Sequence, residues 1–102
     1  NGQNFAFNGY LPIDNVERKK NIKMFEKRSK ELQQSQIFIE TPYRNNKLLD
    51  QFKATLTPST QLCVAADLTL ASEYIHTLTA GDWKKESPDL HKRPCIFVVH
   101  KF

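Results

Sequence analysis

Residues 36–44 read Gln-Ile-Phe-Ile-Glu-Thr-Pro-Tyr-Arg, and the change of texture inside this stretch decides the fold. Ile37-Phe38-Ile39 is a short apolar run without alternation, which suits a strand covered on both faces. Thr41-Pro42 stops it. Proline at the first turn of a helix gives up only a donor that has no partner there, and a threonine just before it is placed to cap. Leu48, Leu49, Phe52 and Leu56 then recur at helical spacing as far as Thr57-Pro58. A buried strand running straight into a helix is half of a crossover unit, so its partners are sought on either side.

Upstream, Asn4 to Tyr10 predicts a strand ending near Gly9, with Phe5 and Phe7 two apart, and Leu11-Pro12 turns the chain. Asp14 is a candidate N-cap. Residues 15–33 lack Gly and Pro and are rich in Lys, Glu, Gln and Leu, which predicts a long helix. Arg18, Ile22, Phe25, Ser29 and Leu32 share an arc of about 80° at the helical repeat and should meet the sheet. Lys19, Lys20, Lys23, Lys27 and Lys30 fall opposite. Downstream, Leu62 to Ala66 predicts another buried strand, and Ser72 to Thr79 a partly exposed strand at an edge, closed by Gly81-Asp82. Trp83 to Leu90 reads as a short helix or loop. Pro94 to Phe102 predicts a last strand whose Ile96 to Val99 segment fits a central position. The order predicts an α/β fold: a mixed sheet of about five strands, two long crossover helices, two or three layers, and the first three strands parallel.

The 102 residues are expected to form a single domain, and 39% hydrophobic with 25% charged residues is the balance of a soluble chain. The longest apolar run is five residues, which argues against a membrane partner. Cys63 and Cys95 lie in apolar runs and read as buried, reduced thiols, hence a cytoplasmic location. The opening Asn1-Gly2-Gln3 carries neither a start residue nor a leader and reads as the beginning of a piece of something longer. Glycines at 2, 9 and 81 cannot form a phosphate-cradling loop, and His76, His91 and His100 lack metal-ligand spacing, so no metal is expected.

In sheets of this kind ligands collect at the carboxyl ends of strands, which singles out Gly9 to Pro12, Glu40 to Pro42 and Ala65 to Asp67. Glu40 ends a buried run, so its carboxylate must be solvated, paired or used; Arg44, four residues on, is within reach as its partner. Free N–H groups at the helix start after Thr41 favour an anion at the same edge. Arg18 is the odd residue on its apolar face, either snorkelling out or aimed into a crevice at the strand ends, and the crevice is favoured. Lys19, Lys23 and Lys27 repel one another at i, i+4, which weakly favours a phosphate partner. A non-catalytic RNA-binding or interaction module working through Lys19 to Lys30 is therefore the alternative to an enzyme.

Taken in order, these strand ends resemble the C-terminal half of the tetrapyrrole methylase superfamily, in particular its small-subunit ribosomal RNA ribose 2'-O-methyltransferase branch. The residues that carry the likeness are Phe5-Ala6-Phe7-Asn8-Gly9-Tyr10-Leu11-Pro12 with Arg18, then Ile37-Phe38-Ile39-Glu40-Thr41-Pro42-Tyr43-Arg44, then Val64-Ala65-Ala66-Asp67-Leu68-Thr69-Leu70, and a last apolar strand, Cys95 to Val99. Ala66, Leu70 and Ser72 stand where that branch has Arg, Lys and His. The resemblance implies an enzyme of two lobes with S-adenosylmethionine between them, usually a homodimer, of which this chain is the C-terminal lobe and the N-terminal domain is missing. It implies Ile39, Glu40, Thr41, Ala65 and Ala66 around the cofactor, Tyr10, Arg18 and Arg44 nearer the substrate, and ribosomal RNA as a partner. The edge strand near Tyr74 to Leu78 is a candidate dimer surface.

Overall fold

The computed structural model describes residues 4–102; the opening Asn1, Gly2 and Gln3 lie outside them. The elements are β1 (Phe5–Tyr10), α1 (Asn15–Leu32), β2 (Ser35–Ile39), α2 (Asn45–Thr55), β3 (Gln61–Ala66), β4 (Tyr74–Thr79), α3 (Ala80–Trp83) and β5 (Cys95–His100). They build one mixed sheet of order β1-β2-β5-β3-β4. β1 pairs parallel with β2, while β5 lies antiparallel between β2 and β3, and β4 pairs antiparallel with β3 at the edge. Two reversals cancel, so β1, β2 and β3 all run the same way, as their crossovers require, and their carboxyl ends share one edge of the sheet. The last strand is central, and the alternating Tyr74–Thr79 segment is an edge strand, as the pattern predicts.

The layers number two. Side chains alternate across a strand, and Phe38, Leu62, Val64, Ala66, Cys95, Phe97 and Val99 enter a single core with Ile22 of α1, Leu48, Leu49 and Phe52 of α2, and Trp83 of α3. The rings of Phe25, Phe38, Phe52 and Phe97 form a continuous row, with neighbouring centroids 5.2–5.8 Å apart. Ile37, Ile39, Cys63, Ile96 and Val98, on the alternate positions, are outside that core and only half buried. No helix among the described residues covers them, so the apolar runs of β2 and β5 are packed on one side only. Cys63 is accordingly half buried rather than buried as expected; Cys95 is buried, and loss of hydration pushes its thiol up to about 11.

α1 follows the expected limits, and Asp14 caps it through Oδ2, which accepts the Glu17 N–H at 3.0 Å. Its buried stripe is turned from the expected one. Leu32 is 55% exposed, and Glu26 is buried in its stead. The Glu26 carboxylate accepts from Thr57 N–H at 2.7 Å, Thr60 Oγ1 at 2.6 Å and Lys23 Nζ at 3.2 Å, fastening α1 to the turn before β3. Burial pushes this carboxyl up, but the hydrogen bonds from Thr60, Thr57 and Lys23 outweigh it and hold it below its ordinary 4.5. A depressed folded value means stability that is complete above the unfolded value and lost as the pH falls through the folded one. Glu26→Gln should therefore cost about 1–3 kcal/mol at pH 7. In urea titrations the gap from the wild type should close as the pH drops below about 4.5.

Two further boundaries differ from expectation. Pro42–Arg44 forms a 3-10 turn, α2 starts only at Asn45, and the Thr41 side chain makes no capping bond although its backbone is extended as at an N-cap. Gly81-Asp82 does not end β4 in a loop but lies inside the short α3, which the Thr79 hydroxyl caps by accepting the Asp82 N–H. No helix among the described residues is long and apolar enough to cross a membrane.

Candidate functional site

At the edge where β1, β2 and β3 end, a hollow of about 310 Å³ opens between β2 and β3 on the uncovered face. Its floor is the row Ile39, Ile96 and Ala65, which sit opposite one another across three strands. Its rim is Asp67, Leu68, Leu70 and Pro94, with Cys95. The loop after β3 holds this rim in place. Asp67 and Thr69 take positive φ of 52° and 69°, the Leu70 N–H returns to Asp67 O, and the Asp67 N–H bonds Pro94 O. Two non-glycine residues in left-handed backbone are uncommon and need support. Arg93 supplies it, with Nε 2.7 Å from Asp67 Oδ2 and Nη2 2.7 Å from Ser72 O. Asn45 of α2 in turn donates to Leu90 O and Arg93 O, tying the segment that carries Arg93 to the helical layer.

The Arg93 hydrogen bond, aided by Ser72 Oγ at 2.9 Å, holds the Asp67 carboxyl below its ordinary 3.8 against the opposing effect of burial. An ionised carboxylate therefore stands at the rim of an otherwise apolar floor. Chemically this is a slot for a flat apolar group, with one strong acceptor for hydroxyl or amino hydrogens.

The residues expected at the cofactor divide between the two faces of the sheet. Ile39 and Ala65 border the hollow together. Ala66, one residue on, faces the helical layer and is fully buried. Glu40 likewise turns to the helical side: its Oε2 lies 2.6 Å from Arg18 Nη2, and its Oε1 accepts the Thr41 N–H at 2.8 Å. The partner of Glu40 is thus Arg18 and not Arg44. Arg18 is neither snorkelling nor open to a crevice; it is 1% exposed and also donates to Pro12 O and Gln51 Oε1. Arg18 and Glu40 together lock the ends of β1 and β2 onto α1 and α2. Thr41 and Arg44 lie on the turn beyond β2, half buried. Tyr10 is 62% exposed and stands opposite Ile39, on the same face as the hollow.

It reaches that face through a bulge. The pairing slips between Phe7 and Gly9, with Gly9 at φ +70°, so the strand changes sides before its last residue. Asn8, at the slip, donates to Gln36 Oε1 on the helical side. Sequence reading leaves out Arg93 and gives Asp67 a place at a strand end without a binding role. Asp67 lies inside the Val64 to Leu70 block and ends the Ala65 to Asp67 stretch, which marks its place but not its role, whereas Arg93, 26 positions on, has no local signal. The lysines of α1 are exposed, and Lys19, Lys20 and Lys23 border a shallow depression with Val16.

The fold and site together define a lobe with a half-open hollow at the shared strand ends. No family model matches the chain, and no curated protein matches it. Among solved structures, that of the methyltransferase CobJ has a TM-score of 0.52 and 16% identity to it, over 98% of this chain and 42% of that one. The chain thus spans less than half the length of that neighbour, and what they share is the fold.

Proposed function

We propose that this chain forms one wall of the methyl-donor cleft in an S-adenosylmethionine-dependent methyltransferase of the tetrapyrrole methylase type. The observation that carries the reading is the hollow floored by Ile39, Ile96 and Ala65, lying at the strand ends of a fold shared with a methyltransferase. The adenosine would lie on the apolar floor, with Asp67 accepting from its hydroxyl or amino groups. At about 310 Å³ the hollow is at the small end for ligand sites, which run from about 300 to 1,000 Å³. It suits a nucleoside with the rest of the donor held by a second lobe. Methyl transfer is governed by in-line positioning, so one wall without the other should bind poorly and not turn over. S-adenosylmethionine is the source of the methyl group; what this chain contributes is the floor, the acceptor at the rim and Tyr10 beside it.

For the acceptor, the sequence resemblance supports ribosomal RNA, and the exposed lysines of α1 supply the phosphate contacts such a substrate needs. The test uses the full-length protein that carries this chain. Ala65→Phe fills the floor and should weaken S-adenosylmethionine binding at least about tenfold in calorimetry. Lys19→Gln with Lys23→Gln should leave the donor untouched and flatten the salt dependence of RNA binding by about two units of slope. Unchanged donor affinity in Ala65→Phe would refute the cleft, and salt-dependent RNA binding by a protein that binds no S-adenosylmethionine would favour the interaction-module alternative.

A further inference from the structure

The lysines of α1 account for the phosphates of an RNA but not for its bases. At the same strand-end edge as the hollow, beyond its rim, two exposed rings meet. Tyr43, four residues past Ile39 of the floor, is 69% exposed. Its ring centroid lies 5.5 Å from that of His91, also exposed, with 68° between the planes. Single exposed rings are ordinary on a surface, but this pair stands on anchored backbone. The Lys92 N–H donates to Pro42 O at 3.1 Å, joining the two loops beside the rings, and the Arg44 N–H donates to Thr41 O at 2.9 Å. Asp89 Oδ1 accepts the His91 N–H at 3.0 Å and Asn46 Nδ2 of α2 at 3.1 Å. Lys92 takes a φ of 62°, left-handed backbone that is uncommon outside glycine. It stands between His91, which meets Tyr43, and Arg93, which holds Asp67 at the rim.

We infer that Tyr43 and His91 form a stacking corner for one unpaired base of the RNA, flanking the nucleotide that receives the methyl group; this rests on the reading proposed above. With the planes at 68°, a flat group laid on one ring meets the other edge-on, so the corner takes a single base. Charge selects the partner. Arg44, Lys47 and Lys92 lie on the same two loops and the first turn of α2, and among the described residues none of them is in an ion pair. The neighbouring Asp89 is already engaged by Asn46 and the His91 N–H. Aromatic faces interleaved with uncommitted cations suit a single strand, whose bases stack while its phosphates are neutralised. Arg18 reaches Glu40 at 2.6 Å and so sets the start of α1 over the end of β2. Lys19 therefore shares this edge with the corner, and one strand can lie along both. Fixing a flanking base orients the acceptor toward the hollow, and orientation is what governs the transfer.

The test titrates the full-length protein that carries this chain with a single-stranded oligoadenylate of about 12 nucleotides, a length such sites cover, and with an abasic oligomer of the same charge. Tyr43→Ala should weaken oligoadenylate binding about 5- to 100-fold, the span set by losing one stacked base, and leave the abasic oligomer unaffected. Tyr43→Phe should bind as the wild type does, and His91→Ala should lose affinity for oligoadenylate alone. Tyr43 is exposed, so the variants should keep the melting of the wild type. A neutral ring releases no counterions, so Tyr43→Ala should keep the slope of the salt dependence that Lys19→Gln with Lys23→Gln flattens. Equal binding of oligoadenylate by Tyr43→Ala and the wild type, an equal loss on the abasic oligomer, or no binding by the wild type overturns the inference. A Tyr43 effect in a protein that binds no S-adenosylmethionine would uphold the corner and refute the cleft, which keeps the two failures apart.

Discussion

Arg18→Ala is expected to lower the unfolding free energy by about 3–5 kcal/mol, because it strands the Glu40 carboxylate where water does not reach. The two side chains are 2% and 3% exposed, and the guanidinium also satisfies Pro12 O and Gln51 Oε1, so one substitution leaves three acceptors without a donor. Domains of this size hold only about 5–15 kcal/mol in all, so the loss should be plain as a shifted urea midpoint. Adding Glu40→Leu should return a substantial part of it, since an apolar pair of similar volume carries no desolvation penalty. If the double variant is no more stable than Arg18→Ala, the carboxylate is not the source of the loss.

Phe97→Ala should be as damaging for a different reason. Phe97 is fully buried on the central strand, in contact with Phe52 of α2 at 5.7 Å between ring centroids. Truncating a buried phenylalanine costs about 3–5 kcal/mol, a loss that combines transfer with the cavity left behind. Phe97→Leu should recover most of it. Val98→Ala, one residue on but facing away from the helices, should cost about 1 kcal/mol or less in the monomer. That contrast reads the two-layer arrangement from stability alone.

The elements were legible because each has a local cause: the Asp14 cap, the glycine- and proline-free stretch of α1, the apolar runs of β2, β3 and β5. Strand direction followed from the crossovers. What the residues could not reveal is which face of a strand is covered. Ile37-Phe38-Ile39 has the texture of a strand buried on both sides, yet only Phe38 enters the core, and the same ambiguity places Ala65 at the hollow and its neighbour Ala66 behind it. Pairing over long separations was equally hidden. Glu40 had an arginine four residues away and took the one 22 positions upstream, because α1 lies over the strand end and the turn carrying Arg44 leads away from it. The Asp67 to Arg93 link spans 26 positions and has no periodicity to betray it.

The slip in β1 has a consequence for how such a lobe diversifies. Tyr10 looks outward because Asn8 is an extra residue outside the alternation; three positions after Phe7, an unbroken ladder would turn it into the interior. Losing Asn8 would remove the bulge and leave Gly9 opposite Phe38 and Tyr10 opposite Ile39, still outward. Taking the extra residue into the ladder instead would withdraw the aromatic from beside the hollow without any change of residue type.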